Sequence, residues 1–380
     1  METQPMETRS YWRSEIPVPD YAKQYIRSLC KRFPHVKREE AWKEYLASKR
    51  SRDAKKNFLD WGNEPIVGTD RMAPLVYDEI TSIAHTEFRI AKDYGIVTRI
   101  LSETKKRVPN SFAPTRLLDI GCGSGSASLA SCEQFPSIQS ISLVDGSEYM
   151  TSIATDLLHS KNRDYTITSF SSLLSIVNQH EKPFDMVLLD RFLTDLPSNK
   201  ARASACVIAW EFLRPGGLMV VAEEGDRWGF HSVRCARDLL LHMETQGNQS
   251  AQQAGESPTI QIIAPCSHCK ECPLKGNKRS WCHFVQQCEA GPTAAFHSRR
   301  RAGEVFSYLV LRKPDGIAIE TRPYGRILSS PLKRDKHVIV EICSPNGSIE
   351  KRVYSKGKLK DNTEKYRMIR KGEWGGILSE

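Results

Sequence analysis

No run of eighteen apolar residues occurs in the chain, so no membrane-spanning helix is expected. The first residues have no apolar core of the kind a signal peptide needs, which argues against Sec-type export. Glu2 and Glu7 are out of place in a mitochondrial presequence, normally poor in acids. No internal repeat is present. The eleven cysteines are an odd number and are clustered; a disulfide framework is not what they make, and they fit a reducing compartment in which thiolates bind metal.

What is there begins with a chain long enough for two or three domains, its 39% apolar and 26% charged residues sufficient for a full core. The chain is organised around Arg116-Leu117-Leu118-Asp119-Ile120-Gly121-Cys122-Gly123-Ser124-Gly125, a short apolar strand, an acid and three alternating glycines, with a helix opening after them. Gly121, Gly123 and Gly125 leave no side chain between the backbone and a ligand, so peptide N–H groups at the helix start can face it. About a dozen helical residues later, Ser140 to Val144 reads as a second buried strand ending in Asp145, where a ribose diol would find its acceptor. The glycines fall as G-x-G-x-G, not as the G-x-G-x-x-G of a dinucleotide fingerprint.

Motif by motif this stretch resembles class I methyltransferases. The resemblance implies a Rossmann-like, doubly wound α/β sheet and S-adenosylmethionine as the cofactor. Asp119, Gly121, Gly123 and Gly125 match the first motif and Asp145 the second; Thr166 to Phe170 matches the third strand, with Ser171 and Ser172 near the adenine. Phe184 to Asp190 matches the fourth strand, with Asp190 at the cofactor, and Arg214-Pro215-Gly216-Gly217-Leu218 the turn before the fifth. After strand four the chain continues Arg191-Phe192-Leu193-Thr194-Asp195-Leu196-Pro197. It has neither an Asn/Asp-Pro-Pro-Tyr/Phe loop nor a nucleophilic cysteine there, so no catalytic group is assigned, although Asp190 or Asp195 could act as a base.

Around that core, residues 1–70 read as a basic helical arm interrupted at Pro17, Pro19, Pro34 and Pro65, with Lys49 to Lys56 its most basic run. Apolar residues three and four apart from Leu75 to Arg107 predict helices covering one edge of the sheet, and they lead a core over 71–244. Residues 245–320 hold a Gln/Gly/Ser-rich mobile loop (245–258), a cysteine-rich insert and two last core strands. Residues 321–380 form a basic hairpin around Ser344-Pro345-Asn346-Gly347 and a final helix. Residues 1–60 carry a net +5 and residues 321–380 a net +7, while the middle is slightly negative. That distribution is expected if the two ends grip a polyanion, with Arg326, Lys333, Arg334, Lys336, Lys351 and Arg352 on the surface near Tyr324 and Tyr354.

Cys266, Cys269, Cys272, Cys282 and Cys288 are interleaved with His268 and His283, and Cys343 stands in the hairpin. Thiolates suit zinc or an iron-sulfur cluster, and spacing alone does not choose between them. Pro265-Cys266-Ser267-His268, Cys272-Pro273-Leu274, Trp281-Cys282-His283-Phe284 and the Arg326 to Lys333 segment, in that order after a methyltransferase core, resemble the methyltransferase-like assembly factors of the mitochondrial small ribosomal subunit. That resemblance implies a mitochondrial matrix protein that binds small-subunit rRNA and subunit precursors alongside other assembly factors, with no membrane partner. It also implies a 4Fe-4S cluster on Cys266, Cys272, Cys282 and Cys343. The chain departs from the pattern at Ser267, where proline is usual, and in Cys269 and Cys288, which compete for a ligand position. The alternative is an active S-adenosylmethionine-dependent rRNA methyltransferase with a structural zinc or iron-sulfur site.

Overall fold

The structure, a computed structural model, describes residues 14–53, 56, 58–61, 75–178, 183–247, 260–289, 302–317 and 323–379. Two helices come first, α1 (Asp20–Cys30) and α2 (His35–Asp53), with Pro19 and Pro34 just ahead of their first turns, where a residue without an N–H is tolerated. α1 buries Ala22, Ile26 and Leu29, spaced three and four apart, in the main core. The expected arm is therefore packed down along this helix. Next comes one 27-residue helix, α3 (Glu79–Lys105), capped by Asp78, whose carboxylate accepts from the Thr81 N–H at 2.9 Å.

The alternation of strands and helices follows as β1 (Arg116–Ile120), α4 (Ser126–Gln134), β2 (Ser140–Val144), α5 (Glu148–His159), β3 (Thr166–Phe170), α6 (Leu173–Asn178), β4 (Phe184–Asp190), α7 (Asn199–Glu211), β5 (Leu213–Glu224) and α8 (Arg227–Gly247). Three more strands, β6 (Gln261–Ala264), β7 (Phe284–Cys288) and β8 (Ala302–Arg312), complete a sheet of order β3-β2-β1-β4-β5-β8-β6, with β7 paired to β8. β1 to β5 run parallel and β8 is antiparallel to β5, so the doubly wound sheet expected from the glycine loop and its strands is present, with an antiparallel finish. Side chains of β4 and β5 alternate between two apolar layers. Leu188 and Val220 join α3 and α4 on one face, while Val187, Leu189 and Val221 join α7 and α8 on the other. α3 thus packs on the face of the sheet at its β6–β8 edge. Order reverses between β1 and β4, which opens a crevice at the strand C-termini.

A second, five-stranded sheet holds β9 (Tyr324–Ile327), β10 (Leu332–Lys333), β11 (His337–Cys343), β12 (Ile349–Ser355) and, after helix α9 (Thr363–Arg370), β13 (Ile377–Ser379). The β11–β12 hairpin turns where expected, with Gly347 at φ +75° and Ser344 N donating to Ser348 O at 2.9 Å. Val338, Val340 and Ile342 form its core with Tyr366 and Ile369 of α9. Of the stretch read as a mobile loop, 245–247 end α8 and the remainder lies outside the described residues. Among the described residues no helix is long and apolar enough to cross a membrane.

Candidate functional site

The three loop glycines have different reasons to be glycine. All have positive φ, at +71° for Gly121, +49° for Gly123 and +81° for Gly125. A Cβ on Gly121 would run into the Phe192 ring and one on Gly125 would come within 2.9 Å of Ala154, whereas one on Gly123 would meet nothing within 4 Å. Packing requires the first and third, and the middle one faces open space. Gly123 N donates to Asp145 Oδ2 and Ser147 N to Asp145 Oδ1, each at 2.9 Å, so this carboxylate braces the loop while forming part of the cleft wall.

The open space is a cleft of about 740 Å³ whose walls include Gly121, Gly123, Asp145, Ser171, Ser172 and Asp190. Asp119 and Gly125 stand behind it. Asp119 is fully buried and accepts from Ser128 Oγ at 2.6 Å with its other oxygen unpartnered, and burial raises its pKa to about 6. Asp190 has an oxygen with no hydrogen-bond partner, and burial pushes its carboxyl well up, with Asp93 adding to the effect. Next to it Arg191, a non-glycine residue at φ 54°, is paired with Asp93 at 2.7 Å, Glu304 at 3.3 Å and Glu224 at 3.5 Å.

One wall is not foreshadowed by the glycine loop. Trp42, Tyr45 and Lys49 of α2 and His85, Arg89 and Asp93 of α3 close over the cleft, with Trp42 stacked on Tyr45 at 5.1 Å and on Phe88 at 5.4 Å. His85 is half-buried, and its desolvation against the cleft wall pushes its pKa down to about 3 and leaves the ring neutral at physiological pH. Burial would raise Glu224, but Lys49 and Arg191 beside it hold it down to about 2. The loop after β4 is fixed from below: Glu223 accepts from Leu193 N at 2.7 Å and Thr194 Oγ1 at 2.7 Å. Asp195 faces Arg52, with Nη1 at 3.4 Å and Nη2 donating to its carbonyl at 2.5 Å.

Cys266, Cys272, Cys282 and Cys343 line a second, nearly apolar cavity with His268, Arg237 and Arg326, at the junction of the insert and the small sheet. Its free space, about 40 Å³, exceeds the roughly 10–15 Å³ that one water-sized sphere needs. Burial pushes the Cys272 thiol up to about 11 and Cys343 to about 12, with the neighbouring cysteines adding, and raises Cys282 well above the ordinary range. Held this way they are thiols unless a cation draws the protons off. Arg237 ties the insert loop by donating to His268 O at 3.1 Å and Lys270 O at 2.5 Å, and His268 Nε2 lies 3.3 Å from Cys343 Sγ. The other two insert cysteines do not line this cavity. Cys269 is exposed, its thiol 3.6 Å from Ile260 O, and Cys288 is buried in β7 below Gly95.

Among the described residues, Asp60, His231 and Cys235 form the trio whose ligand atoms all fall within 4.8 Å of one another; no three of the four cavity cysteines do. The trio is already served by a guanidinium. Arg234 Nη2 bonds Asp60 and lies 3.3 Å from both His231 Nδ1 and Cys235 Sγ, while His231 Nε2 meets Leu59 O at 3.1 Å.

On the small sheet, Lys333, Arg334, Lys336 and Lys351 are exposed, and Arg352 is half-buried beside Glu350 at 2.9 Å. Arg326 must be corrected. It is 2% exposed and its guanidinium pairs with Glu103 at 2.5 Å, so it leaves the proposed nucleic-acid surface. Tyr324 is likewise buried, under Arg107, and is not available for stacking.

A family model described as mitochondrial small ribosomal subunit Rsm22 matches residues 79–379. The mitochondrial Rsm22-cox11 tandem protein 1 of Schizosaccharomyces pombe is 27% identical over 339 residues, covering 78% of this chain and 43% of that protein, so the chain spans less than half the length of that relative. The mitochondrial ribosome assembly protein METTL17 of Homo sapiens is 26% identical over 383 residues, covering 100% of this chain and 78% of that protein. Among solved structures, the N-methyltransferase NodS of Bradyrhizobium japonicum WM9 in complex with S-adenosyl-l-homocysteine aligns with a TM-score of 0.35 at 14% identity, over 63% of this chain and 94% of that one.

Proposed function

The chain belongs to the Rsm22 family of the mitochondrial small ribosomal subunit, and we propose that it is a mitochondrial assembly factor for that subunit, binding its rRNA with the small C-terminal sheet. The observation that carries this reading is the placement of cations. Lys333, Arg334, Lys336 and Lys351 are gathered exposed on one small sheet, away from the cleft, where phosphates can reach them. Replacing Lys333, Arg334 and Lys336 together with Glu is expected to weaken binding of a small-subunit rRNA fragment across sequences. The slope of log affinity against log salt should fall by about 3. A variant that binds as the parent does at every salt concentration would move the RNA grip elsewhere.

The cleft suits S-adenosylmethionine. Open space at Gly123 lets the backbone approach a ligand, Asp145 stands where ribose hydroxyls would donate, and the unpartnered Asp190 oxygen can accept from a cationic amine. Gly123→Ala fills only open space and costs folding about 1–2 kcal/mol for a left-handed alanine. It should nevertheless lower cofactor affinity about tenfold or more by calorimetry. Gly121→Ala instead meets the Phe192 ring and should fail to fold. Unchanged binding by the Gly123 variant would remove the assignment.

The thiol cavity suits a four-iron, four-sulfur cluster. A single zinc with sulfurs at about 2.3 Å would need them about 3.8 Å apart, closer than any trio of these four cysteines stands. Arg237 and Arg326 offset the charge of an anionic cluster, and the buried His268 Nδ1 and Arg237 Nε have no hydrogen-bond partner in the protein. Bound there, the cluster would supply coordination bonds that join the insert to the small sheet. A second reading, methyl transfer to rRNA, is favoured by the intact cofactor cleft. Radiolabelled methyl transfer to precursor particles would decide for it.

A further inference from the structure

Three cations of the basic run at and after the end of α2 are turned into the molecule, while Arg50 is exposed and Lys55 lies outside the described residues. Lys49 pairs with Glu224 at 2.6 Å, Arg52 with Asp195 at 3.4 Å and Lys56 with Asp226 at 2.9 Å. The three cations are 20%, 7% and 17% exposed, and their partners sit at the end of β5, after β4 and just before α8, where the strand C-termini open onto the cleft. Leu59 and Asp60 continue the line, with Leu59 O accepting from Asn199 Nδ2 at 3.2 Å and Asp60 bonding Arg234. Lys49, Asp195 and Glu224 are themselves part of the cleft wall.

We propose that the C-terminal half of α2, with Lys56, is a charge latch over the approach to the cleft, and that rRNA opens it by competing with Glu224, Asp195 and Asp226 for Lys49, Arg52 and Lys56. With their cations 7–20% exposed these pairs are screened less than surface pairs, so bulk salt leaves the closure shut, whereas a polyanion that offers all three cations new partners at once can release it. Opening presents three cations to phosphate and uncovers the cleft in one step. RNA binding and access to the cofactor are thereby coupled. The inference rests on the reading that the chain binds rRNA.

Amide hydrogen exchange of the full chain, with and without a small-subunit rRNA fragment, tests it. Exchange over residues 46–53 and 190–196 should rise about tenfold on RNA binding, while residues 333–354 become protected. Glu224→Gln with Asp226→Asn should open 46–53 without RNA and raise RNA affinity severalfold above a charge-matched control, Glu148→Gln with Glu211→Gln, made at two exposed sites. Exchange over 46–53 that is unchanged or slower while 333–354 is protected would overturn the latch and leave the RNA reading standing. Protection nowhere would remove both. Equal RNA affinity in the Glu224→Gln/Asp226→Asn and control variants would also overturn the latch.

Discussion

Replacing Arg326 with alanine is expected to cost about 3–5 kcal/mol of stability, and to do so without changing the salt dependence of RNA binding. The side chain is 2% exposed. Its Nη2 meets Glu103 at 2.5 Å, Nε donates to Pro265 O at 3.0 Å and Nη1 donates to Gly375 O at 2.8 Å, so one guanidinium joins α3, the cysteine insert and the last turn of the chain. Alanine would leave two carbonyls without these donors and a buried carboxylate short of a cation. Glu103 keeps Arg107 at 2.7 Å and the Tyr308 hydroxyl at 2.8 Å, which places the loss toward the lower end of that range. A fall in the urea midpoint, with the salt slope of RNA affinity retained below the transition, is the expected pair of results. An Arg326→Ala protein as stable as the parent but weaker on RNA would return this residue to the nucleic-acid surface.

Arg326 shows where reading a sequence stops. In the C-terminal charge count it looks like Lys333 or Lys336, because charge says nothing about the acid, 223 residues earlier in the chain, that takes it inside. Lys49, Arg52 and Lys56 were hidden for the same reason, their partners lying 143 to 175 residues away. β7 was obscured differently. Phe284, Gln286 and Cys288 alternate inward as a strand should, but the buried glutamine breaks the apolar signal and the nearby cysteines invite a metal reading. The glycine loop and its strands were legible because their requirements are local: positive φ, close approach and an acid at a strand end. The four cysteines that line one cavity are singled out in the sequence only by family resemblance, since their spacing alone fits zinc as well as iron.

Protein purified without oxygen is expected to carry iron and acid-labile sulfide, about four of each per chain, and Cys343→Ser is expected to lose most of both. Cys343 reaches the cavity from β11, so it is the one cysteine of the four supplied by the small sheet; Cys266, Cys272 and Cys282 all come from the insert. Structural metal sites contribute roughly 10 kcal/mol or more to the fold that holds them, and the loss of one of four thiolates should remove much of that. The sheet would not detach completely. Arg326 still holds Glu103, and the Tyr324 hydroxyl still lies 3.1 Å from Pro265 O and 3.2 Å from Cys266 O. The expected sign is therefore faster proteolysis at the junction between the sheets together with lost iron, in a protein that keeps its methyltransferase-type core. Cys269→Ser and Cys288→Ser serve as controls and should retain the metal, since one thiol is exposed and the other is buried below Gly95 in a different part of the core. One zinc per chain without sulfide would replace the cluster with a closed zinc site, and full iron in Cys343→Ser would take the small sheet out of the metal centre.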